Sequence, residues 1–218
     1  MGPLLLLFGW QAFLDRRKLR WKRLLRQGHE ARNAERMARA LELYLEAGER
    51  APQQPQNRLC VGATRLYLWQ LAAARRDLEL SLTLRPLGQD EDAPLRAVAM
   101  PMLALLDGLD GRVGRARERL DTLDPGADSS LVALAEAVIA CREQRWVDAG
   151  AFARDPEVLA LGSTIGALAR TLDSWSLAEQ GGPLQLVDQV ALFSEASPDE
   201  LRAAWPELFA FLDRAPKS

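Results

Sequence analysis

Histidine is nearly missing from this 218-residue chain: His29 is the only one, and Cys60 and Cys141 are the only cysteines. A single imidazole excludes multi-histidine metal sites and most histidine-based triads. His29 adjoins Gly28 beside Arg26, Glu30 and Arg32 and reads as a solvated or groove-lining side chain. The two thiols lie far apart, each inside an apolar helical pattern, and read as buried free cysteines, which suits a reducing compartment. Gly108, Gly111 and Gly114 lack both a preceding strand and a following Lys-Ser/Thr, so no phosphate-cradling loop is present. Acid pairs such as Glu118 and Asp121 are spaced for a solvated helix face. No catalytic constellation emerges, and neither an enzyme, a cofactor nor a metal is expected. Aromatics are only 6% and β-branched residues are sparse, so the pool favours helix over strand. The net charge of −2 excludes a globally basic nucleic-acid binder.

What the chain does have is a period. Gly28, Ala40, Tyr44, Ala47 and Pro52 are answered 34 residues later by Gly62, Ala74, Leu78, Ser81 and Pro86. Trp21, Leu24, Leu25 and Gly28 share one helical face, and Met37, Ala40, Leu41, Tyr44 and Ala47 share another. The small residues mark where two antiparallel helices cross, and each proline closes a second helix. Leu59, Gly62 and Leu66, then Ala74, Leu78 and Leu82, repeat the layout. The expectation is an all-α fold of stacked helical hairpins.

These residues resemble the tetratricopeptide repeat, with two clear copies at about 21–54 and 55–88. A third copy fits 97–125 through Ala104, Gly111, Ala116, Leu120, Leu123 and Pro125, with Pro101 expected to kink its first helix or delay its start. A fourth fits 130–153 through Ala137, Trp146 and Ala149, although Glu136 and Ala153 depart from the family pattern. The resemblance implies a right-handed solenoid over 21–154 whose first helices line a concave groove. That groove would present Lys22, Leu25, His29, Arg32 and Asn33, then Gln56, Leu59, Ala63, Leu66 and Tyr67, then Leu105, Leu109, Leu134 and Val138. Members that clamp a chaperone's carboxylate use lysine and asparagine where this chain has Leu25 and His29, which speaks against carboxylate capture. An apolar floor with a basic mouth instead suits a partner's amphipathic helix bearing a few acids. The resemblance thus implies a non-catalytic protein–protein interaction scaffold or adaptor.

Gly88, Gln89, Asp90, Glu91 and Asp92 read as one polar loop, and Asp124 to Ala127 as another. Past residue 155 the period is lost. Val158, Leu161, Ile165, Leu168 and Leu172 form one apolar stripe, with Gly162 and Gly166 permitting close packing. Leu186, Val187, Val190 and Ala191 form a second after Gly181, Gly182 and Pro183. Ser197, Pro198 and Glu200 signal a helix start, and Leu201, Ala204, Trp205, Leu208 and Leu212 share a face that Pro206 interrupts. Residues 155–218 are therefore expected to be a helical cap. They carry ten acids against four bases, so 195–213 is also a candidate to fill the groove in cis.

Residues 1–20 combine a short apolar run, Leu4 to Leu14, with the basic cluster Arg16, Arg17, Lys18 and Arg20. The run falls short of the roughly 20 residues of a membrane span, and its bases follow it, unlike those of a signal peptide. Two readings stand side by side. In one, Leu7, Trp10, Leu14, Trp21 and Leu24 or Leu25 pack on the repeats. In the other, Leu7 and Trp10 enter a bilayer while Arg16, Arg17, Lys18 and Arg20 meet anionic headgroups, leaving the repeats at the cytoplasmic face. That organisation is similar to bacterial inner-membrane adaptor proteins, and it frames an alternative role as a membrane-associated structural or assembly factor. Nucleic-acid binding through the basic helix and Trp21 is disfavoured, because one basic turn on an acidic chain supplies few phosphate contacts. The expected location is cytoplasmic.

Overall fold

The computed structural model describes residues 20–84, 93–161 and 163–216. Leu7, Trp10, Arg16, Arg17, Lys18, Pro86, Gly162 and the loop at 88–92 lie outside them. Among the described residues the protein is all-helical without strands, its helices packed in consecutive pairs.

Four hairpins come first. Helix α1 covers 20–33 and pairs with α2 (Met37–Arg50); α3 (Pro55–Tyr67) pairs with α4 (Leu71–Thr83). Then α5 (Ala93–Leu109) pairs with α6 (Val113–Asp121), and α7 (Ser129–Arg142) with α8 (Trp146–Ala153). All four turns are built alike. Glu35, Trp69, Gly111 and Gln144 each adopt a left-handed conformation. The next residue's N–H reaches back five positions: Arg36 to Ala31, Gln70 to Arg65, Arg112 to Asp107 and Arg145 to Ala140, at 2.8–2.9 Å. This six-to-one bond satisfies carbonyls that the first helix would otherwise leave orphaned. Three residues other than glycine hold a backbone that costs an L-residue about 1–2 kcal/mol, so each turn needs support from packing.

Gly28 and Gly62 occupy equivalent crossings. A methyl group on Gly28 would lie 2.4 Å from the Tyr44 ring, and one on Gly62 would lie 2.7 Å from Leu78. Tyr44 and Leu78 are themselves 34 residues apart. Ala40, Ala74, Ala116 and Ala149, one per second helix, are completely buried.

Between hairpins, α3 packs on α5 and α5 on α7, while α2, α4 and α6 each touch the first helix of the next pair. The Asp107 carboxylate, fully buried on α5, accepts from Arg75 of α4 at 2.6 Å and from Arg119 of α6 at 2.7 Å. A buried carboxylate stripped of these partners would be strongly destabilising, so this brace fixes hairpin two against hairpin three.

Pro101 neither stops α5 nor delays it: the helix starts at Ala93, before the proline. Proline removes the amide that would bond the Ala97 carbonyl. The Asp128 N–H takes that carbonyl instead, at 3.0 Å. The Asp128 side chain in turn caps α7 by accepting from the N–H groups of Ser130 and Leu131.

The C-terminal region departs further from expectation. The Val158–Leu172 stripe is two helices, α9 (Pro156–Leu159) and α10 (Ser163–Glu179). Gly166 permits the break, since a methyl group there would lie 2.6 Å from the Leu161 carbonyl oxygen. Helix α10 packs on α7 and α8, extending the row of packed helices. Residues 183–186 are irregular, and the second stripe does not form an apolar face: Leu186 and Val190 are 66% and 72% exposed, while Val187 and Leu192 are buried. Three short helices follow, α11 (Gln189–Phe193), α12 (Asp199–Ala204) and α13 (Pro206–Arg214). Pro206 divides α12 from α13 and sits at the start of the latter. Ser197 Oγ accepts from the Asp199 N–H at 3.4 Å, ahead of Pro198, whose backbone is already helical at the start of α12.

Candidate partner-binding cleft

The groove residues named from the sequence divide sharply. Ala63, Leu66, Leu105, Leu109, Leu134 and Val138 are buried in one apolar cluster that also holds Leu192, Leu201, Trp205, Leu208, Phe209, Phe211 and Leu212. Leu59 is half-buried against that cluster. These positions are core residues and not an open floor.

Polar contacts pin the C-terminal segment along the hairpin turns. The Trp69 indole N–H donates to the Leu192 carbonyl at 2.8 Å. Helices α2 and α4 lack side-chain caps of their own; Glu195 accepts from the Ala38 N–H at 2.8 Å and Glu200 from the Ala72 N–H at 2.9 Å. Ala38 and Ala72 are also 34 residues apart, so two carboxylates read the same position in successive hairpins. Each satisfies an orphan donor at the positive end of a helix dipole. Arg142, from the end of α7, donates to the carbonyls of Gly108, Leu109 and Ala204, reaches Glu207, and lies 4.4 Å over the Trp205 ring. Burial lowers its pKa, with Glu207 and Asp110 acting the other way.

One cleft beside the first helices remains open. Arg32 and Asn33 of α1, Tyr67 of α3, Val98 and Met102 of α5 and Leu131 of α7 line a cleft of about 480 Å³, joined by Glu35, Met37, Asp128 and Leu161. Three of the sequence-derived candidates, Arg32, Asn33 and Tyr67, meet here. Met37, Met102 and Leu131 are buried and make an apolar floor, with charged groups around it. Burial raises the Tyr67 pKa; the Arg32 charge opposes this and the Asp128 charge adds to it. Asp128 is engaged in capping α7, which leaves Arg32 and Glu35 as the adaptable charges. Val98, Met102, Leu105 and Leu109 fall at helical spacing, so their common face was readable, but of these only Leu105 and Leu109 were assigned to the groove. Leu161 comes from the turn after α9, which no local signal could have placed.

His29 and Leu25 do not line this cleft. The Tyr44 hydroxyl is 2.9 Å from His29 Nδ1 where α1 crosses α2, and Leu25 packs against the cluster of Ala31, Ala40, Leu43, Tyr44, Cys60 and Val61. Burial first, and the Arg32 charge second, lower the His29 pKa. Cys60 and Cys141 are buried free thiols, and burial pushes them to about 11 and about 12. Both are uncharged at neutral pH and far from the thiolate state a nucleophile needs. Among the described residues, no group of three or more His, Cys, Asp or Glu side chains is placed to hold a metal ion.

A second cleft, about 420 Å³, lies beside Trp146, Trp175 and Trp205 with Arg142, Glu179 and Glu207. Trp175 stacks on Phe211 at 5.7 Å and donates to Glu179, and Arg142 already covers Trp205, so its aromatic faces are spent on holding α13. Trp21 is buried and is not free to stack on a base. Arg20, from the basic set, is exposed. Among the described residues no helix is long and apolar enough to cross a membrane.

These features define an all-helical protein of consecutively paired helices with a polar-rimmed apolar cleft. Compared with protein-family models, curated proteins and solved structures, the chain finds no match.

Proposed function

We propose that this protein is a non-catalytic interaction scaffold of the tetratricopeptide type, acting in the cytoplasm, whose partner inserts apolar side chains of an amphipathic helix or extended peptide into the cleft of Met37, Tyr67, Val98, Met102 and Leu131. The observation that carries this reading is that one cleft draws its lining from the first helix of all four hairpins. Loss of any hairpin would dismantle it. Methionine is unbranched and polarisable and adapts to irregular apolar ligands, and Arg32 at the rim would pair with an acid on the partner. The four matching turns and the 34-residue spacing support the repeat assignment. The chain's own acidic, apolar C-terminal segment binds along the hairpin turns through Leu192, Glu195 and Glu200, a cis example of the ligand chemistry proposed for the cleft.

A photo-crosslinking amino acid at Val98, in full-length protein in its native cells, tests this. The expected result is a discrete adduct that Met102→Glu abolishes and that the same probe at exposed Glu118 does not give. Equal labelling from both positions, or an adduct indifferent to Met102→Glu, would overturn the cleft assignment. Turnover abolished by changing His29 or an acid of the cleft would end the scaffold reading.

A further inference from the structure

At the other end of the first hairpin, away from its turn, Arg20, Arg23, Leu24 and Gln27 of α1 and Glu46 and Arg50 of α2 line a cleft of about 210 Å³. Three arginines and a single carboxylate line it. Glu46 is committed to Arg50 through its Nη2 at 2.7 Å, and the Nε of Arg50 is buried without an acceptor. A buried donor left unpaired is costly, on the order of 1–3 kcal/mol, and in a native structure asks for a missing acceptor. Arg20, Lys22 and Arg23 are exposed, and among the described residues none of them makes an ion pair; Arg26 reaches only Glu30, at 3.7 Å. In a chain of net charge −2, three exposed bases without an ion pair thus fall within four consecutive residues of one helix.

We propose that this cleft binds the phosphate of an anionic lipid headgroup and seats α1 on a membrane surface. The planar guanidinium fork matches phosphate oxygens, and the vacant Arg50 Nε supplies a donor that a phosphate oxygen would satisfy. A bilayer is favoured over a soluble phosphorylated protein because the sequence running into Arg20 is Arg16, Arg17 and Lys18 preceded by the apolar run from Leu4 to Leu14. A sequence that is cationic and apolar together suits a lipid interface, where the negative potential attracts each base and the apolar groups leave water. This cleft shares no residue with that of Arg32 and Tyr67.

Flotation of the full chain on phosphatidylglycerol-containing vesicles, with pure phosphatidylcholine vesicles for comparison, tests it. Wild type should float only with the anionic vesicles. Arg20→Glu with Arg23→Glu should weaken binding by more than about tenfold. Arg50→Lys, which keeps the charge but removes Nε, should weaken it several-fold, whereas Arg76→Glu, an exposed base on α4, should not. Unchanged binding in the Arg20/Arg23 and Arg50 variants, or equal loss in Arg76→Glu, would overturn the site in favour of diffuse attraction. Inorganic phosphate bound at least as tightly as the vesicles would overturn the membrane source, as would a phosphopeptide that displaces them. Circular dichroism melts matching wild type exclude misfolding of the variants.

Discussion

The hairpin array and the C-terminal segment close their helix ends in opposite ways. Each hairpin finishes its first helix within six residues, using its own backbone and one left-handed residue. The second helices of hairpins one and two begin with carboxylates 157 and 128 residues away in sequence. The C-terminal helices α11, α12 and α13 are only 5, 6 and 9 residues long, too short to persist alone in water. They exist because Leu192, Leu201, Trp205, Leu208, Phe211 and Leu212 are buried with the array. Order in the array is local and repeated; order in the segment is borrowed, and it is partly returned as two helix caps.

The sharpest way to break that contrast is Trp205→Ala. Trp205 is 1% exposed, packs on Trp175 and lies under Arg142. Its removal should cost about 3–5 kcal/mol in denaturant melts, with amides of 189–214 losing exchange protection before those of α3 to α7. Val147→Ala, at a 68% exposed position, should stay within about 0.5 kcal/mol. A Trp205 variant that unfolded with all amides exchanging together would show that array and segment are a single cooperative unit.

Next in size are the glycines. Gly62→Ala should destabilise by about 1–3 kcal/mol through overpacking, because the new methyl meets both the side chain and the backbone nitrogen of Leu78. Gly48→Ala, in α2 with nothing near its added methyl, should stabilise by about 0.5–1 kcal/mol. Thermal melts of the pair decide whether the 34-residue glycine is a packing requirement. The crossing was legible in the sequence because it depends on side-chain size at fixed spacing; that Gly48 is dispensable was not.

The borrowed caps should be smaller. Glu195→Ala and Glu200→Ala should each cost about 0.5–1 kcal/mol, with faster exchange confined to the amides near Ala38 and Ala72 respectively. The smallest effect concerns pH. His29 is held below its usual 6.5 in the fold by burial and then by Arg32, so the unfolded chain takes up the proton first. Its contribution is therefore complete above about pH 7 and declines as pH falls below 6.5 toward the folded value. Urea midpoints between about pH 7.5 and 5.5 should fall less in His29→Gln than in wild type.

Composition and a 34-residue spacing by themselves determined the helical class, the first two hairpins and the crossings at Gly28 and Gly62, since helix propensity, capping and side-chain size act within a few residues. Tertiary structure alone decided that α5 runs through Pro101, because only the Asp128 amide rescues the freed Ala97 carbonyl. It decided that Leu105, Leu134 and Val138 are covered while Arg32, Asn33 and Tyr67 stay open, and that Glu200 caps a helix 128 residues away instead of its own. Such contacts depend on which surfaces meet when the chain folds back, and no local pattern of residues records that.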